Sequence, residues 1–445
     1  MNDVLRDYNA FGQLSRETQA TTGQAVPGTT PAVRYGYSGD GPGTANHSRP
    51  ATLTYPFGRV LSYDYSAGLD DAVSRLSAIA DGGTTLEAYT YLGANIVVRR
   101  AHPEPGVDFT AIKLPGEPAG DGGDPYTGLD RFDRLVDARW VNGSGVDVDR
   151  SEYGYDRAGN PTYKENPVDP ARSEAYAYDG LGRLTSFARG TLNAAKDGVT
   201  GTSRSQGWDY DALGNWDAVT TDGDTQTRTA NRRNEITGIS GQTTPTYDGN
   251  GSLTRDEAGR TFKYDAWGRL VEVRDASDNL LAAFGYDGLG RRVRDARGGV
   301  TKDLYYSAAG QVLLELPAGG GAGATQYVWS PVYVDALVER DRDPDGLSPT
   351  YTERLYAAQD GNYNTTAVFD NSGNVVERYQ ADPFGAPTAL APAGAPKAAS
   401  DVAWTRVHQG LEYVPEIGLF ADRARWLTES WTHVVTSNLA ARQWL

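Results

Sequence analysis

Apolar and polar residues alternate over short stretches of this chain, and turns that contain glycine interrupt the alternation. In residues 261–264 and 268–274 the apolar and charged side chains mostly occupy successive positions in turn. A period of two residues is typical of a β-strand with one face in contact with solvent. The pattern therefore predicts short strands joined by tight turns, and an all-β protein.

The turns belong to a unit that the chain repeats: Tyr-Asp, two variable residues, Gly, then Arg or Asn, and usually an apolar residue. The clearest copies occupy residues 178–184, 264–270 and 286–292, and weaker copies begin at Tyr155, Tyr210 and Tyr247. Asp suits the first turn position because its carboxylate accepts a backbone N–H two residues on. Gly suits the fourth position, where φ is often positive. Tyr before the turn and Leu or Val after it fit a half-buried strand, so each copy predicts one β-hairpin.

The copies are spaced irregularly along the chain. The interval is 17 residues from Tyr247 to Tyr264 but 37 residues from Tyr210 to Tyr247. A hairpin with its connections needs about this length, and longer intervals hold loops such as residues 193–205. Irregular spacing disfavours rigid stacking of identical repeats. We therefore predict one long antiparallel hairpin strip that meanders through most of the chain.

The repeats divide the chain into five predicted parts. These are a degenerate repeat region with Pro/Gly-rich loops at 1–125, a dense repeat region at 126–388, an Ala/Pro linker at 389–400, a distinct segment at 401–428 and a divergent tail at 429–445. Since residues 8–14 already form a degenerate copy, we expect a fragment of a longer protein or a shortened gene.

Local patterns predict further features within these parts. Leu69, Val73, Leu76 and Ile79 fall at helical spacing, which predicts one short helix over residues 70–80. Residues 18–50 and 102–125 are rich in Gly, Pro or Thr and predict loops. The Gly/Ala run at 318–324 predicts a hairpin tip.

Composition narrows the classes of partner. The net charge of −16 disfavours nucleic acid and anionic membranes, because both demand a basic patch. The chain has no cysteine, which excludes disulfides, a thiol nucleophile and sulfur-based zinc sites. No apolar run approaches the roughly 20 residues of a membrane span, and the first residues do not form a secretory signal. Membrane insertion is not expected.

Few residues indicate chemistry. Phosphate-binding loops and nucleophile elbows are missing, and the four histidines, His47, His102, His408 and His433, do not pair at metal spacing. We expect no catalytic residues and no enzyme. One acidic stretch, Asp341, Asp343 and Asp345 before Gly346, resembles a calcium loop, with Glu353 as a late carboxylate ligand. The alternative is a solvated acidic hairpin tip without a cofactor.

The repeats resemble the Rhs/YD-repeat family, which includes teneurins and the cocoon subunits of Tc toxins. Residues 379–385 match its Tyr-x-x-Asp-Pro-Phe/Tyr-Gly element, and residues 409–426 resemble the start of its Rhs-associated core. The resemblance covers roughly residues 8–426. It implies a β-strip that spirals into a hollow shell or barrel-like cage. In toxin members the shell encloses a C-terminal toxic domain that an aspartate-dependent cleavage within the core releases.

The end of the chain departs from that family. After Arg425 the family continues Tyr-Tyr-Asp-Pro, whereas residues 426–431 read Trp-Leu-Thr-Glu-Ser-Trp. The cleaving aspartates have no counterpart, so an autoprotease is not expected. The 17 residues after Thr428 are too few for a toxin domain, since independent folding usually needs about 40 residues.

Three functional hypotheses follow. The first is a non-catalytic shell of the secreted or cell-surface type that encloses or presents a cargo polypeptide. The second is adhesion, in which exposed aromatic side chains bind a glycan or a cell-surface protein. The third is the cocoon portion of a polymorphic toxin that lacks its toxin domain.

Overall fold

The computed structural model describes residues 2–39, 48–65, 68–320, 322–345, 351–423 and 425–428. Within these residues it contains 36 β-strands, one short α-helix, α1 (Leu69–Val73), and three 3₁₀ turns at Pro56–Gly58, Asp121–Gly123 and Pro170–Arg172. In chain order, β1 to β36 are Val4–Tyr8, Leu14–Gln19, Ala32–Tyr37, Pro50–Thr54, Val60–Asp64, Ala78–Asp81, Thr84–Leu92, Ile96–His102, Val107–Thr110, Asp137–Asn142, Asp147–Tyr155, Pro161–Glu165, Ser173–Tyr178, Leu184–Leu192, Val199–Tyr210, Trp216–Thr221, Asp224–Ala230, Ile236–Ile239, Thr246–Tyr247, Leu253–Arg255, Thr261–Tyr264, Leu270–Arg274, Leu280–Tyr286, Arg292–Arg297, Val300–Tyr306, Val312–Pro317, Ala324–Trp329, Leu337–Asp343, Glu353–Gln359, Thr365–Phe369, Val375–Ala381, Pro387–Leu390, Arg406–His408, Leu411–Val414, Leu419–Asp422 and Arg425–Thr428.

Consecutive strands pair antiparallel, so the described chain forms three meandering sheets. The first sheet contains β1–β18, the second β19–β32 and the third β33–β36. The all-β prediction is confirmed, but the strip is not one continuous sheet. It breaks between β18 and β19, where a turn closed by Gln242 N–H to the Ile239 carbonyl replaces the ladder.

All six predicted copies of the repeat form hairpins. In the copy at 178–184, β13 ends at Tyr178 and β14 begins at Leu184, and these two residues lie opposite each other in the ladder. The ladder register shifts by one residue immediately before Tyr178, and the same shift precedes Tyr210 and Tyr286. The register shift is therefore part of the repeat and lets a five-residue turn close each hairpin.

The first and second sheets contact each other in an ordered series. Five of these contacts, in order along the first sheet, are Gln19–Tyr306, Tyr55–Tyr327, Trp140–Gln359, Arg172–Gln380 and Arg204–Asp382. Partner numbers rise together while the sequence separation falls from 287 to 178 residues. A strip that folded back on itself would give the opposite order. The series is that of successive turns of a spiral, and we call the first sheet the first coil, the second sheet the second coil and their contact the seam.

Apolar side chains fill the space between the coils. One buried cluster includes Tyr55 and Leu61 of the first coil, Leu313 and Val328 of the second, and Phe420 of the third sheet. A second cluster places residues of the third sheet against β20–β23 of the second coil, with Trp426 4.6 Å from Phe284 between ring centroids. The third sheet therefore covers part of the second coil, and residues 401–428 are called the core-like segment below.

Several local predictions are wrong in detail. The helix over 70–80 is limited to α1, because residues from Ala78 onward pair with β5 and β7 as β6. The loops at 18–50 and 102–125 contain strands β3 and β9. In these places pairing with neighbouring strands outweighed the local sequence signal, which is common for short segments. The run at 318–324 does join β26 to β27 as a hairpin connection.

The predicted linker at 389–400 lies against the second coil. Leu390 ends β32 and makes a β-bridge with Pro396, while Lys397 Nζ pairs with the carboxylate of buried Glu377. The predicted boundary after residue 125 falls inside the first coil, since β9 pairs with β10. The five-part division stays a prediction, and its last part, 429–445, lies outside the described residues.

Candidate functional site: the seam and the lining of the strip

The repeat turn is held by its aspartate. In the turn after Tyr178, Asp179 Oδ1 accepts the backbone N–H groups of Leu181 at 2.9 Å and Arg183 at 3.0 Å, and Oδ2 accepts Arg183 Nε at 2.6 Å. Gly182 has a φ of 76°, as the turn rule predicts. The backbone N–H of Arg183, with its side chain, lowers the pKa of Asp179. The carboxylate is therefore occupied by its own turn.

Neighbouring copies are joined by the tyrosine and arginine of the repeat. Tyr210 donates its hydroxyl to the Leu184 carbonyl of the preceding copy at 2.6 Å, and Arg183 of that copy lies over the Tyr210 ring at 4.5 Å. Tyr286 makes the same pair of contacts with the preceding copy, to the Leu270 carbonyl and the Arg269 guanidinium. Sequence reasoning missed this role, although the fixed spacing of Tyr and Arg was a signal for it.

The structure also contains copies that the sequence reading did not identify. Turns closed in the same way begin at Ser307, Asp360 and Asp370. In these copies Tyr or Asp is replaced, as in Phe369-Asp370 and Tyr306-Ser307, so the unit is hidden in the sequence. The turns at Ser307 and Asp360 lie on the seam.

Charged side chains cross the seam near its centre. Lys164 of the first coil lies 2.7 Å from the Asp360 carboxylate of the second coil. Burial alone would lower the pKa of Lys164, but Asp360 holds it above its ordinary value. Burial would likewise raise the pKa of Asp360, and Lys164 and the turn hold it low. The pair therefore stays ionised and joins the coils.

The seam ends in an aromatic socket. The carboxylate of Asp382 accepts hydrogen bonds from Arg189 at 3.1 Å and from Arg204 at 2.7 Å. The ring of Phe384 lies edge-on to Trp208 and Trp216, with centroid distances of 5.2 and 5.0 Å. This turn is the Asp-Pro-Phe-Gly element of residues 382–385. In this structure the element attaches the end of the second coil to the first coil.

A buried ion network fixes the core-like segment to the second coil. The carboxylate of Glu412, which is about 1% exposed, accepts from Arg292 and Arg297, and Arg406 pairs with Glu315 at 3.2 Å. Burial would raise the pKa of Glu412, but the surrounding guanidinium groups hold it well below its ordinary value. Removing one member would leave an uncompensated buried charge.

A small cavity remains between the coils and the core-like segment. Its volume is about 200 Å³, and its lining includes Lys164, Tyr176, Asp360, His408 and Phe420. Burial lowers the pKa of His408 to about 4. The space accommodates several water molecules, since one water needs about 10–15 Å³ of such volume, and it is too small for a folded polypeptide. His102 is buried and stacks on Trp140, while His47 and His433 lie outside the described residues.

Two of the predicted calcium ligands, Asp341 and Glu353, are paired with arginines. The carboxylate of Asp341 is bound by Arg354 at 2.8 and 3.0 Å and by Arg59 at 2.9 Å. Glu353 lies opposite Arg342 in the ladder and pairs with it at 3.0 Å. Because successive strand residues point to opposite faces, Glu353 and Asp341 lie on different faces of the sheet.

The other two predicted ligands lie at the end of the same strand. Asp343 is the last residue of β28, Asp345 follows it, and Gly346 lies outside the described residues. Across the part of the chain that the structure describes, no group of three or more His, Cys, Asp or Glu side chains is placed to hold a metal ion. Calcium binding at this turn stays a prediction.

Comparison with known proteins agrees with this architecture. The Teneurin YD-shell family model matches residues 129–314. Among curated proteins, the tRNA3(Ser)-specific nuclease WapA of Bacillus spizizenii is 28% identical over 228 residues, and the tRNA nuclease WapA of Bacillus subtilis (strain 168) is 27% identical over 225 residues. Each match covers 49% of this chain and 9% of the relative.

Solved structures match almost the whole chain. The crystal structure of TcdB2-TccC3-Cdc42 gives a TM-score of 0.72 at 16% identity, covering 97% of this chain and 22% of that chain. The Photorhabdus luminescens Tc holotoxin pore gives a TM-score of 0.71 at 16% identity, covering 96% and 22%. This chain thus spans about a tenth of its curated relatives and about a fifth of these solved chains.

Spiralling antiparallel hairpins joined by Tyr-Asp turns define an all-β shell strip. Residues 129–314 of this chain are similar to the Teneurin YD-shell family, and the fold of almost the whole chain is similar to that of the solved TcdB2-TccC3 structures. No helix among the described residues is long and apolar enough to cross a membrane.

Proposed function

We propose that this chain is a wall section of a non-catalytic shell that encloses a polypeptide, in a secreted or cell-surface protein. The observation that supports the proposal is the seam, whose contacts keep the same order along both coils from Gln19–Tyr306 to Arg204–Asp382. A spiral of this kind extends by adding coils, and its wall is the strip itself.

Enclosure requires more wall than one chain supplies. The cavity between the coils is about 200 Å³, so a cargo needs space that additional coils create. Two matching solved structures contain TccC3, which makes a toxin polypeptide the cargo class that we favour. This is the cocoon hypothesis with the cargo supplied from outside the described residues.

Two other activities receive less support. The relatives named as tRNA nucleases share 9% of their length with this chain, and tRNA binding would demand a basic surface that a net charge of −16 disfavours. Adhesion to a glycan or to a cell-surface protein stays a prediction. Many tyrosines that it would use already bond to backbone carbonyls, as Tyr210 and Tyr286 do.

A protection assay tests enclosure. An unstructured passenger polypeptide is fused after residue 445 and digested with a protease at several protein concentrations. We expect the passenger to be cleaved more slowly than the free passenger, with protection that grows as the protein is concentrated. The variant Phe384→Ala, which empties the socket on the seam, serves as the control and should protect less. Cleavage at the rate of the free passenger at every concentration would remove the enclosure proposal.

A further inference from the structure

Six turns carry a large, exposed apolar side chain at the same position of the repeat. The position is the third residue of the turn, directly before its Gly or equivalent residue. The side chains and their exposed fractions are Phe11 58%, Phe132 69%, Leu181 79%, Leu213 70%, Trp267 68% and Leu289 50%. Strand direction alternates along the strip, so successive turns alternate between its two edges. All six of these turns lie on the same edge. We call these six residues the apolar tips.

The turn of Leu289 also contacts the first coil, through Asn2 and Glu17, and its tip stays 50% exposed. Three other turns on the seam differ at this position. They carry Ala309, Asn362 and Phe384, two of which are small or polar. The large one, Phe384, is packed between Trp208 and Trp216. The molecule thus contains one example of an apolar tip in its binding site, and that site is the face of another coil.

The binding site for such a tip has unfilled space beside Phe384. A groove of about 380 Å³ is lined by Trp208, Trp216, Gln226 and Arg228, and by Phe384 itself. A second groove of about 660 Å³ continues on the other side of Phe384, past Arg189 and Arg204. The first groove lies on β15–β17, where the second coil ends and leaves the first coil uncovered. The second groove lies between β14–β15 of the first coil and residues 380–396 at the end of the second coil. We call the first of them the tip groove.

Polar groups in the tip groove are incompletely paired. Gln206 Oε1 and Arg228 Nη1 are buried without a hydrogen-bond partner in the structure. The Arg228 guanidinium lies 5.0 Å from the centroid of the Trp216 ring, so the wall is flat and amphipathic. A turn with an apolar tip and exposed backbone amides suits such a wall, as residues 382–385 already demonstrate next to it.

We propose that a second copy of this chain inserts apolar tips into the tip groove, so that copies associate head to tail. The interface continues the seam, with the same turn chemistry meeting the same strand face. It joins two different surfaces, and a heterologous contact of this kind generates open oligomers instead of closed dimers. Association of this kind would extend the wall of the proposed shell, but it does not depend on the presence of a cargo.

Sedimentation of the full chain over a roughly hundredfold concentration range tests the proposal. We expect the average mass to rise beyond that of a dimer. In the tip variant all six apolar tips, Phe11, Phe132, Leu181, Leu213, Trp267 and Leu289, are changed to Asp. The tip variant and the groove variant Thr225→Arg, whose residue is exposed at the groove rim, should each remain monomeric. Val146→Asp is the matched control, since Val146 is 58% exposed on the opposite edge, and it should associate like the unmodified chain.

Mixing the two variants provides the decisive measurement. The tip variant keeps an intact groove and the groove variant keeps intact tips, so their mixture should form dimers and nothing larger. Circular dichroism of each variant establishes that it is folded. A monomeric unmodified chain at every concentration would overturn the proposal. Association that the tip and groove variants leave unchanged would also overturn it, and so would a mixture of two monomeric variants that stays monomeric.

Discussion

The last strands of the first coil and the middle strands of the second coil form the same kind of hairpin, but their side chains differ in burial. In β17 (Asp224–Ala230) no side chain is fully buried, and the strand is mostly Thr, Asp, Gln and Arg. In β27 (Ala324–Trp329) five of six residues are buried, and β28 (Leu337–Asp343) is similar. Both regions have the same ladder geometry. Burial is therefore set by what lies on the faces of the strip, and not by the repeat.

The contrast explains where stability resides. The middle of the second coil has the first coil on one side and the core-like segment on the other, so both strand faces are covered. The strands β15–β18 have solvent on much of both faces and carry the tip groove. The repeat supplies turns and hydrogen bonds everywhere, whereas apolar burial is concentrated where coils overlap. Four predictions test this difference.

The largest effect is expected from the ion network of the buried region. Glu412→Ala leaves Arg292 and Arg297 buried without their carboxylate, and breaking such a pair costs about 3–5 kcal/mol of the free energy of unfolding. Lys263→Ala removes a mostly exposed partner of Glu272 and should cost about 0–1 kcal/mol. Urea denaturation of both variants measures the two values. Equal losses would contradict the comparison.

One substitution made in both regions gives a matched test. Leu313 is 1% exposed in β26, and Leu213 is 70% exposed at a turn of the first coil. Leu313→Ala should lower the free energy of unfolding by about 2–5 kcal/mol, through lost burial and a cavity. Leu213→Ala should change it by no more than about 0.5 kcal/mol. Thermal and urea unfolding decide the result, and a large loss at Leu213 would mean that the tips are packed in solution.

Acid should weaken both regions, and the seam most. The pKa values of Asp211 in a free turn and Asp360 at the seam are lowered: hydrogen bonds from Asn215 are the main cause for Asp211, and Lys164 overcomes burial for Asp360. A carboxyl whose pKa is lower in the folded protein contributes stability above its unfolded pKa of about 3.9, and that stability is lost as the pH falls through the folded value.

The measurement is the melting temperature between about pH 6 and pH 2. It should hold down to about pH 4 and fall below it. Asp360→Asn should flatten this dependence more than Asp211→Asn, because only Asp360 is itself buried and pairs with a lysine, the half-buried Lys164. A dependence that neither substitution changes would show that other groups control acid sensitivity.

The smallest effect concerns calcium. Arginines already neutralise Asp341 and Glu353, and the two carboxylates lie on opposite faces of the sheet. We expect millimolar calcium to leave the melting temperature of the chain unchanged. A rise that Asp343→Ala abolishes would instead establish a site at the end of β28.

The sequence was sufficient for the hairpin and for the class of fold. The turn chemistry of Tyr-Asp-x-x-Gly acts over a few residues, and the structure places Asp179 and Gly182 as that chemistry predicts. The degenerate copy at residues 8–14 was recognised from the sequence, whereas the copies at Ser307, Asp360 and Asp370 were identified only from their closed turns. The helix predicted over 70–80 is shorter in the structure, because pairing of β6 with two neighbouring strands outweighs the helical pattern from Ala78 onward.

The contacts that form the seam and the socket could not be predicted from the sequence. Lys164 and Asp360 are 196 residues apart, and no spacing rule connects them. The sequence identified residues 379–385 by resemblance, but not Trp208 and Trp216 as their binding site.

The sequence by itself determined local geometry, because turn conformation and strand alternation depend on neighbouring residues. The tertiary structure alone decided which strands are covered, which charges are buried and which tips stay exposed. Those properties depend on where the spiral brings its coils together. The residues that meet there are separated along the chain by far more residues than one repeat contains.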